Sequence, residues 1–357
     1  MIYYNLADQG FKSSNRASVG VYNVSLQLGA RLSEAMPCTF LLNAEADLDE
    51  MAPSATKKIV EGAANGLRRA AWDQWGLFSA VDAVPPDWLF LPKGFSSFLR
   101  KPPCRLAVYI HDVVYSYWRR AYPGYRSPLL HKYFDWGLKA SLRNADVVFT
   151  NSDFTAGELR RFADQHRLKR VAPIVTAGIG FDHLQSAPCD ENKRGILAYV
   201  SSWPHKASAS LLNKMVRWQQ ESGFSDPVYL LGSVPPEMTV PEFSNWEFMD
   251  TLPEAEYRAL LGRVKCSIFN SEYEGFGMPP GESLMQGVAP VYSSIPALNE
   301  VMGGVGFAYD NLDYDSFARA LNDGLDASST QVAGWKNGFL ERHNWSKVTR
   351  TIKQALA

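Results

Sequence analysis

Residues 264–287 of this chain read Val264-Lys-Cys-Ser-Ile-Phe-Asn270-Ser-Glu-Tyr-Glu274-Gly-Phe-Gly-Met-Pro-Pro-Gly-Glu282-Ser-Leu-Met-Gln-Gly287. A short apolar run, a glycine-rich turn and a helix-like stretch in this order predict a strand, a tight turn and a helix. The first backbone N–H groups of such a helix are available to bind an anion. Glu274 lies in the turn and Glu282 in the first helical turn, so the segment also offers two carboxylates. These features suit a ligand with a diphosphate and sugar hydroxyl groups, which describes a nucleotide sugar.

A purely structural interpretation of the two glutamates is also open. Pro280 suits an early helix position, Glu282 would complement the helix dipole, and Glu274 would be an ordinary loop acid. An isolated pair of glutamates at this spacing would favour that interpretation. The sequence downstream adds information, because it continues as Gly287-Val-Ala-Pro-Val291, Ser294-Ile-Pro-Ala-Leu-Asn-Glu300-Val and Gly303.

These segments together resemble the signature of glycosyltransferase family 4 (group 1), a large group of retaining enzymes with the GT-B fold. The resemblance implies that Glu282 holds the ribose hydroxyls of the donor and that Glu274 contacts the donor sugar. It also implies that backbone amides near Gly275, Phe276 and Gly277 face the sugar and the phosphates, and we expect the next residue, Met278, to bind the donor as well.

A second segment, Tyr199-Val-Ser-Ser-Trp-Pro-His205-Lys206, follows a predicted strand and is similar to the phosphate-binding segment of the same family. Lys206 matches the lysine that neutralises the leaving diphosphate, and we expect Lys206 and Glu274 to be catalytic residues. His205 stands where many relatives carry an arginine, which puts one phosphate contact in doubt. We expect Ser202 and His205 to bind the donor beside Lys206. The structural alternative is that Lys206 is a solvated lysine at the start of a helix.

Two elements in the first half of the chain are also similar to the family. Ile110-His111-Asp112 matches a strand-end His-Asp element, and His111 is the predicted catalytic histidine, which would contact a sugar hydroxyl or the developing charge. Its structural alternative is a histidine that satisfies a backbone group beside an aspartate that caps a turn. Gly20 matches a glycine-rich loop near the diphosphate, although this chain has one glycine where the family often has two.

Apolar runs alternate with amphipathic stretches along the chain, which predicts an α/β protein with parallel sheets. A length of 357 residues fits two domains. The predicted fold is GT-B, with two Rossmann-like, doubly wound domains that face each other across a cleft. The predicted domains are an acceptor-binding domain at residues 1–185 and a donor-binding domain at 186–340. Residues 341–357 are predicted to form a helix that crosses back to the first domain, as the resemblance implies.

Besides the helices that begin near Glu282 and at residues 341–357, six helices and eleven strands are predicted from the apolar pattern. The strands are Ile2–Leu6, Thr39–Asn43, Trp88–Leu91, Leu106–Ile110, Val147–Thr150, Ile174–Thr176, Ile196–Val200, Val228–Leu231, Trp246–Met249, Cys266–Phe269 and Ala289–Val291. The helices are Val21–Glu34, Leu129–Leu142, Thr155–Gln165, Ala209–Glu221, Glu254–Leu261 and Ser316–Leu325.

Composition limits the classes of function. The N-terminal residues do not read as a signal peptide, and no stretch has the length of apolar sequence that a membrane span needs. The four cysteines form no C-x-x-C pair, which is typical of reduced thiols in a cytoplasmic protein. No His, Cys and carboxylate cluster has metal-ligand spacing, so we expect neither a metal site nor a cofactor.

Charge is distributed unevenly along the chain. Residues 93–143 contain ten basic and two acidic residues, a balance of +8, together with eleven aromatic residues. Such a segment suits anionic lipid headgroups or a phosphorylated acceptor. The alternative is that several aromatic residues lie in the core and that the charges only solvate helix surfaces.

The resemblance implies a retaining hexosyltransferase. The His111-Asp112 element and the Ser294-Ile-Pro-Ala-Leu298 run look like those of bacterial mannosyltransferases of surface polysaccharide assembly, so the expected donor is GDP-mannose. The expected partners are this nucleotide sugar, a glycan or lipid-linked acceptor, and an anionic membrane at the inner face of the plasma membrane. No nucleic acid is expected. Two alternatives stay open, namely a UDP-sugar transferase of the same fold and an inactive glycan- or nucleotide-binding subunit.

Overall fold

A computed structural model describes residues 1–8, 19–43, 55–62, 66–82, 85–184, 189–234, 238 and 242–357. These residues form two compact units. Unit 1 contains Met1–Gly180 and Trp345–Ala357, and unit 2 contains Phe181–Asn344. The predicted domain boundary between residues 185 and 186 lies outside the described residues.

The described part of unit 1 contains a parallel sheet of seven strands in the order β3-β2-β1-β4-β5-β6-β7. The strands are β1 (Ile2–Asn5), β2 (Cys38–Leu42), β3 (Thr56–Ile59), β4 (Trp88–Leu91), β5 (Arg105–Ile110), β6 (Val147–Thr150) and β7 (Ile174–Thr176). The helices are α1 (Val19–Ala35), α2 (Gly66–Ala71), α3 (Leu77–Asp82), α4 (Val114–Ala121), α5 (Pro128–Asn144), α6 (Asp153–Gln165) and α13 (Trp345–Leu356), with a π-helical turn at Trp72–Gly76.

Stacked aromatic rings form the centre of the unit 1 core. The ring of Phe90 lies 5.2 Å from that of Tyr4 and 5.8 Å from that of Phe149, which joins strands β1, β4 and β6. All three side chains are fully buried. Burial of apolar area on this scale is the main favourable term in folding, so the sheet is a rigid support for the loops at its ends.

The described part of unit 2 contains a second parallel sheet, of six strands, in the order β10-β9-β8-β11-β12-β13. The strands are β8 (Ile196–Val200), β9 (Val228–Gly232), β10 (Trp246–Met249), β11 (Cys266–Phe269), β12 (Ala289–Ser293) and β13 (Phe307–Tyr309). The helices are α7 (Ser208–Ser222), α8 (Glu254–Leu261), α9 (Met278–Met285), α10 (Pro296–Met302), α11 (Tyr314–Asp326) and α12 (Ser329–Arg342), with a 3₁₀ turn at Pro204–Lys206.

Each sheet has one point at which the strand order reverses. In unit 2 the chain runs outward through β8, β9 and β10 and then returns to place β11 beside β8. In unit 1 the corresponding neighbours are β1 and β4. Loops that leave the carboxyl ends of such neighbouring strands diverge, and the crevice between them is where open α/β sheets bind ligands.

The predicted elements agree closely with the structure. All eleven predicted strands and the six helices predicted from the apolar pattern are present within two residues of their predicted bounds. Helix α9 begins four residues before Glu282, and α13 begins at Trp345. Strands β3 and β13 were not predicted. Ser152 accepts a hydrogen bond of 3.0 Å from the backbone N–H of Thr155, so it is the N-cap of α6.

Candidate functional site

The carboxyl ends of β8 and β11 bring two predicted catalytic residues together. Lys206 lies in the 3₁₀ turn after β8, and Glu274 lies in the loop after β11. The Lys206 Nζ lies 2.5 Å from the Glu274 Oε1. The two side chains are only 25% and 12% exposed, so water screens this ion pair less than it would screen a surface pair. Lys206 is therefore not the freely solvated lysine of the structural alternative.

Asn270 fixes the backbone that carries Lys206. Its side-chain amide donates hydrogen bonds to the carbonyl oxygens of Lys206 (3.2 Å) and Ala207 (3.1 Å). Its carbonyl oxygen accepts a bond of 2.6 Å from the Tyr309 hydroxyl. Ala207 has a φ of 43°, a left-handed conformation that is uncommon for a residue with a Cβ. The surrounding bonds thus maintain a turn that local propensity disfavours.

Ser271 connects the same two loops through a buried hydrogen-bond network. Its hydroxyl donates to the carbonyl of His205 (3.1 Å), which also accepts a bond of 2.7 Å from the backbone N–H of Glu272. The Ser293 hydroxyl donates to the Ser271 carbonyl and accepts from the Ser271 N–H. Asn270, Ser271 and Ser293 were not among the predicted site residues, although a pair of polar residues directly after the apolar strand β11 indicates such a role.

The N-terminus of α9 follows Glu274 after a sharp turn at Gly277. Pro279 and Pro280 have no N–H group, so the amides of Gly277 and Met278 are the donors that remain among the first four of this helix. Both residues are among the predicted donor-binding positions, and Gly277 is one of the three whose amides the resemblance places against the donor.

Replacement of Gly277 by alanine is expected to destabilise unit 2. Gly277 has a φ of 89°, and a Cβ at this position would lie 2.1 Å from the Leu298 Cδ2. The backbone strain alone costs about 1–2 kcal/mol, and the clash adds to it. Thermal unfolding of Gly277→Ala should show a clearly lower melting temperature, whereas Gly334→Ala, on helix α12 with open space at its Cβ, should not. An unchanged melting temperature for Gly277→Ala would contradict the described turn.

Glu282 was predicted in the first helical turn, but α9 begins at Met278, so Glu282 lies in its second turn. There it is the end of a chain of hydroxyl groups. The Tyr257 hydroxyl donates to the Glu282 Oε2 at 3.3 Å and lies 2.7 Å from the Tyr199 hydroxyl. The Tyr199 hydroxyl lies 3.2 Å from that of Ser283. Burial raises the pKa of Glu282 to about 7, although the bond from Tyr257 favours the charged form. A carboxylate with this pKa changes its protonation near neutral pH.

His205 lies against Lys206 but does not supply the positive charge of an arginine. The imidazole is buried, and burial together with the Lys206 charge lowers the pKa of His205 to about 4. It is therefore neutral at pH 7, and its contact with an anion would be a hydrogen bond rather than a charge pair. Ser202 lies in the same loop and is exposed.

The remaining donor-binding predictions involve backbone positions. Phe276 is buried, and its ring packs near those of Phe181 and His343, so only its backbone is available to a ligand. Gly275 is buried as well. Gly20 was predicted in a loop, but it lies in the first turn of α1 in unit 1; most of the preceding loop lies outside the described residues.

His111 follows β5 in unit 1, and its ring Nε2 lies 2.8 Å from the carbonyl oxygen of Pro92. Because a carbonyl only accepts, the imidazole donates here. Burial lowers the pKa of His111 to about 4, so the ring is neutral at pH 7. The Asp112 carboxylate accepts from the N–H of Val114 at 3.0 Å. Both bonds are those of the structural alternative, in which His111 satisfies a backbone group and Asp112 caps a turn.

Replacement of His111 by alanine is therefore expected to lower stability. The loss leaves the Pro92 carbonyl without its ring donor, which costs about 1–3 kcal/mol and roughly 2–12 °C in the melting temperature of unit 1. Differential scanning calorimetry of His111→Ala measures this loss. The variant for comparison is His131→Ala, which removes a second buried histidine of unit 1. A normal melting temperature with slow sugar transfer would instead favour the predicted catalytic role.

The described residues contain no group of three His, Cys, Asp or Glu side chains that could hold a metal ion. No helix among them is long and apolar enough to cross a bilayer.

Comparisons with known proteins concern both the sequence and the fold. Residues 244–351 match the family model for glycosyl transferases group 1. The chain is 23% identical over 246 residues to O-antigen chain mannosyltransferase B of Escherichia coli, covering 61% of this chain and 62% of that protein. It is 21% identical over 231 residues to O-antigen chain mannosyltransferase RfbU of Salmonella typhimurium, covering 63% of each. The matches thus span less than two thirds of either relative.

Solved structures cover nearly the whole chain. Sucrose-phosphate synthase from Thermosynechococcus elongatus superposes with a TM-score of 0.71 and 16% identity over 99% of this chain and 97% of that one. A trehalose-6-phosphate structure from E. coli bound with UDP-2-fluoro glucose superposes with a TM-score of 0.64 and 10% sequence identity. This match covers 100% of this chain and 99% of that one. At such identities the likeness shows the fold alone, and it confirms the predicted GT-B class. The predicted resemblance of this chain to the group 1 glycosyltransferases is confirmed as well, with the family's own model matched at residues 244–351.

Proposed function

We propose that this protein is a retaining glycosyltransferase that moves a hexosyl group from a nucleoside diphosphate sugar to a glycan or lipid-linked acceptor. The observation that carries the proposal is the contact of Lys206 with Glu274 at the strand-order reversal of unit 2. One cation, two carboxylates and a helix N-terminus converge on the carboxyl ends of β8 and β11. This set matches the parts of a nucleotide sugar, namely a diphosphate, a ribose and a hexose.

Each group in this set has a role in the proposed reaction. Lys206 neutralises the charge that grows on the diphosphate as the bond to the sugar breaks. Glu282 accepts hydrogen bonds from the ribose hydroxyls, and Glu274 contacts the hexose. The acceptor attacks on the face that the diphosphate leaves, and a phosphate oxygen takes the acceptor's proton. No separate enzymic base is then required, and no metal ion is assigned a role.

Mannose from GDP-mannose is the proposed donor, and surface polysaccharide assembly is the proposed setting. Both matched mannosyltransferases bear O-antigen chain names, which supports this choice over other hexoses. We place the protein in the cytoplasm, with access to lipid-linked acceptors at the inner face of the plasma membrane.

A UDP-sugar transferase of the same fold is the second candidate, which the UDP-2-fluoro glucose in a structural relative favours. The purified chain should be incubated with GDP-mannose, UDP-glucose and UDP-galactose on a lipid extract, with and without EDTA, and the products analysed by mass spectrometry. A hexose added from GDP-mannose in both conditions supports the proposal, and transfer from a UDP-sugar alone supports the second candidate. Absence of both transfer and donor hydrolysis would favour an inactive binding subunit.

A further inference from the structure

An exposed face of unit 1 carries aromatic and basic side chains that the proposed chemistry does not use. Helix α5 presents Leu129, Lys132, Trp136, Lys139 and Arg143, which recur at intervals of three or four residues and therefore share one side of the helix. This stripe contains three bases and no acid. Trp136 is 51% exposed and Leu129 is 78% exposed. The opposite side of the helix is buried, with Leu138 and Leu142 in the core.

The loop after β4 extends this face with a second apolar group. Leu99 is 54% exposed, and the neighbouring ring of Phe98 lies 5.5 Å from that of Trp136. Between the loop and α5 is a depression of about 460 Å³, which is lined by Phe98, Leu99, Trp136, Lys139 and Arg143 among others. We call Leu99, Lys132, Trp136, Lys139 and Arg143 the α5 face.

The charges of the α5 face are not neutralised within the described structure. Lys139 and Arg143 form no ion pair with any described residue. The acid nearest in sequence, Asp135, binds Arg119 at 2.5 Å instead. Asp146, which follows the helix, accepts a hydrogen bond from the N–H of Leu106. Two adjacent cations thus remain beside exposed apolar side chains.

We propose that the α5 face docks unit 1 onto a bilayer surface that contains anionic phospholipids. Trp136 and Leu99 are of the kind that enters the headgroup region, where an amphipathic indole ring is favoured. Lys132, Lys139 and Arg143 attract the phosphates of the lipid headgroups around them. The charge complementarity favours an anionic bilayer over a second copy of this chain, since two copies of the stripe would repel each other. The inference does not depend on the proposed sugar transfer.

Flotation of the full chain with vesicles tests the docking directly. Vesicles of phosphatidylcholine alone are compared with vesicles that contain 30% phosphatidylglycerol, each at about 0.05 M and 0.5 M salt. We expect binding to the anionic vesicles only, weakened at high salt. Lys139→Ala/Arg143→Ala should bind about 25-fold more weakly, because each base near an anionic surface contributes about fivefold. Trp136→Ala should also bind more weakly at both salt concentrations.

The matched control removes the same charge elsewhere in unit 1. Arg350 and Lys353 are exposed on α13, which packs against α1, so Arg350→Ala/Lys353→Ala should float like the parent chain. Circular dichroism melting verifies that every variant is folded. Equal losses in both double variants, or no flotation of the parent chain, would overturn the proposal. A dimer in light scattering that dissociates in Trp136→Ala would also overturn it, because the α5 face would then be an interface between copies.

Discussion

Replacement of Lys206 by alanine is expected to lower kcat about 10²- to 10³-fold while changing donor affinity far less. The ammonium group contacts a diphosphate whose charge grows as the sugar leaves, so its interaction is stronger in the transition state than in the ground state. Removal of one preorganised electrostatic contact of this kind typically costs that factor in kcat. In the described structure Glu274 neutralises Lys206, and donor binding therefore also rearranges an existing ion pair.

Steady-state kinetics with the preferred nucleotide sugar separate these two effects. Lys265→Ala is the matched control, because Lys265 also pairs with a glutamate, Glu191, but directly precedes strand β11 instead of following strand β8. It should keep the parent kcat. Glu274→Gln should release Lys206 from its partner, so that the free nucleoside diphosphate binds more tightly while transfer becomes slower. An increase in KM with an unchanged kcat for Lys206→Ala would contradict the proposed role.

Replacement of Glu282 by alanine is expected to weaken binding of the free nucleoside diphosphate about ten- to a hundredfold. The change removes hydrogen bonds between a carboxylate and ribose hydroxyls, which contribute roughly 1.5–3 kcal/mol. Titration calorimetry measures this effect. Tyr257→Phe, which removes only the donor to the Glu282 Oε2, should cause a smaller loss. Unchanged affinity for Glu282→Ala would remove this residue from the site.

The pKa of Glu282 adds a pH dependence with a defined sign. Its pKa is about 7 in the folded chain, above the ordinary value of 4.5, so the folded state retains a proton that the unfolded state releases between these values. The contribution of Glu282 to stability is complete below pH 4.5 and is lost as pH rises through 7. Glu282→Gln should therefore raise the melting temperature more at pH 8 than at pH 5. Nucleotide affinity should decline below pH 7 in the parent chain but not in this variant.

The elements that could be predicted from the sequence are those with a clear pattern of apolar residues. Strands such as β11 are short apolar segments whose residues are all buried in the sheet. Strand β3 was missed because Thr56-Lys-Lys-Ile lies at the edge of its sheet, where its side chains are partly or fully exposed and leave no apolar pattern. Strand β13, also at an edge, has only three residues.

The contacts between side chains in the candidate site could not be predicted from the sequence. The resemblance identified Lys206 and Glu274 separately, but their ion pair depends on β8 and β11 being neighbours, although they lie about 70 residues apart in sequence. The Asn270 bonds to the carbonyl oxygens of Lys206 and Ala207 depend on the same neighbourhood. Local spacing cannot encode contacts that topology alone creates. Burial likewise decides that His205 is neutral, which a list of residue types cannot show.

The discontinuity of unit 1 has a consequence for biosynthesis. Trp345 of α13 is buried against Gly180, and the indole N–H of Trp88 donates to the carbonyl of Leu356 at 2.9 Å. At about 5–20 residues per second, a ribosome needs roughly 10–30 s to translate all of unit 2 between these two parts of unit 1. Unit 1 is therefore begun before unit 2 and completed after it, and a nascent chain stalled before Trp345 would leave the part of unit 1 that α13 covers exposed to chaperones and proteases.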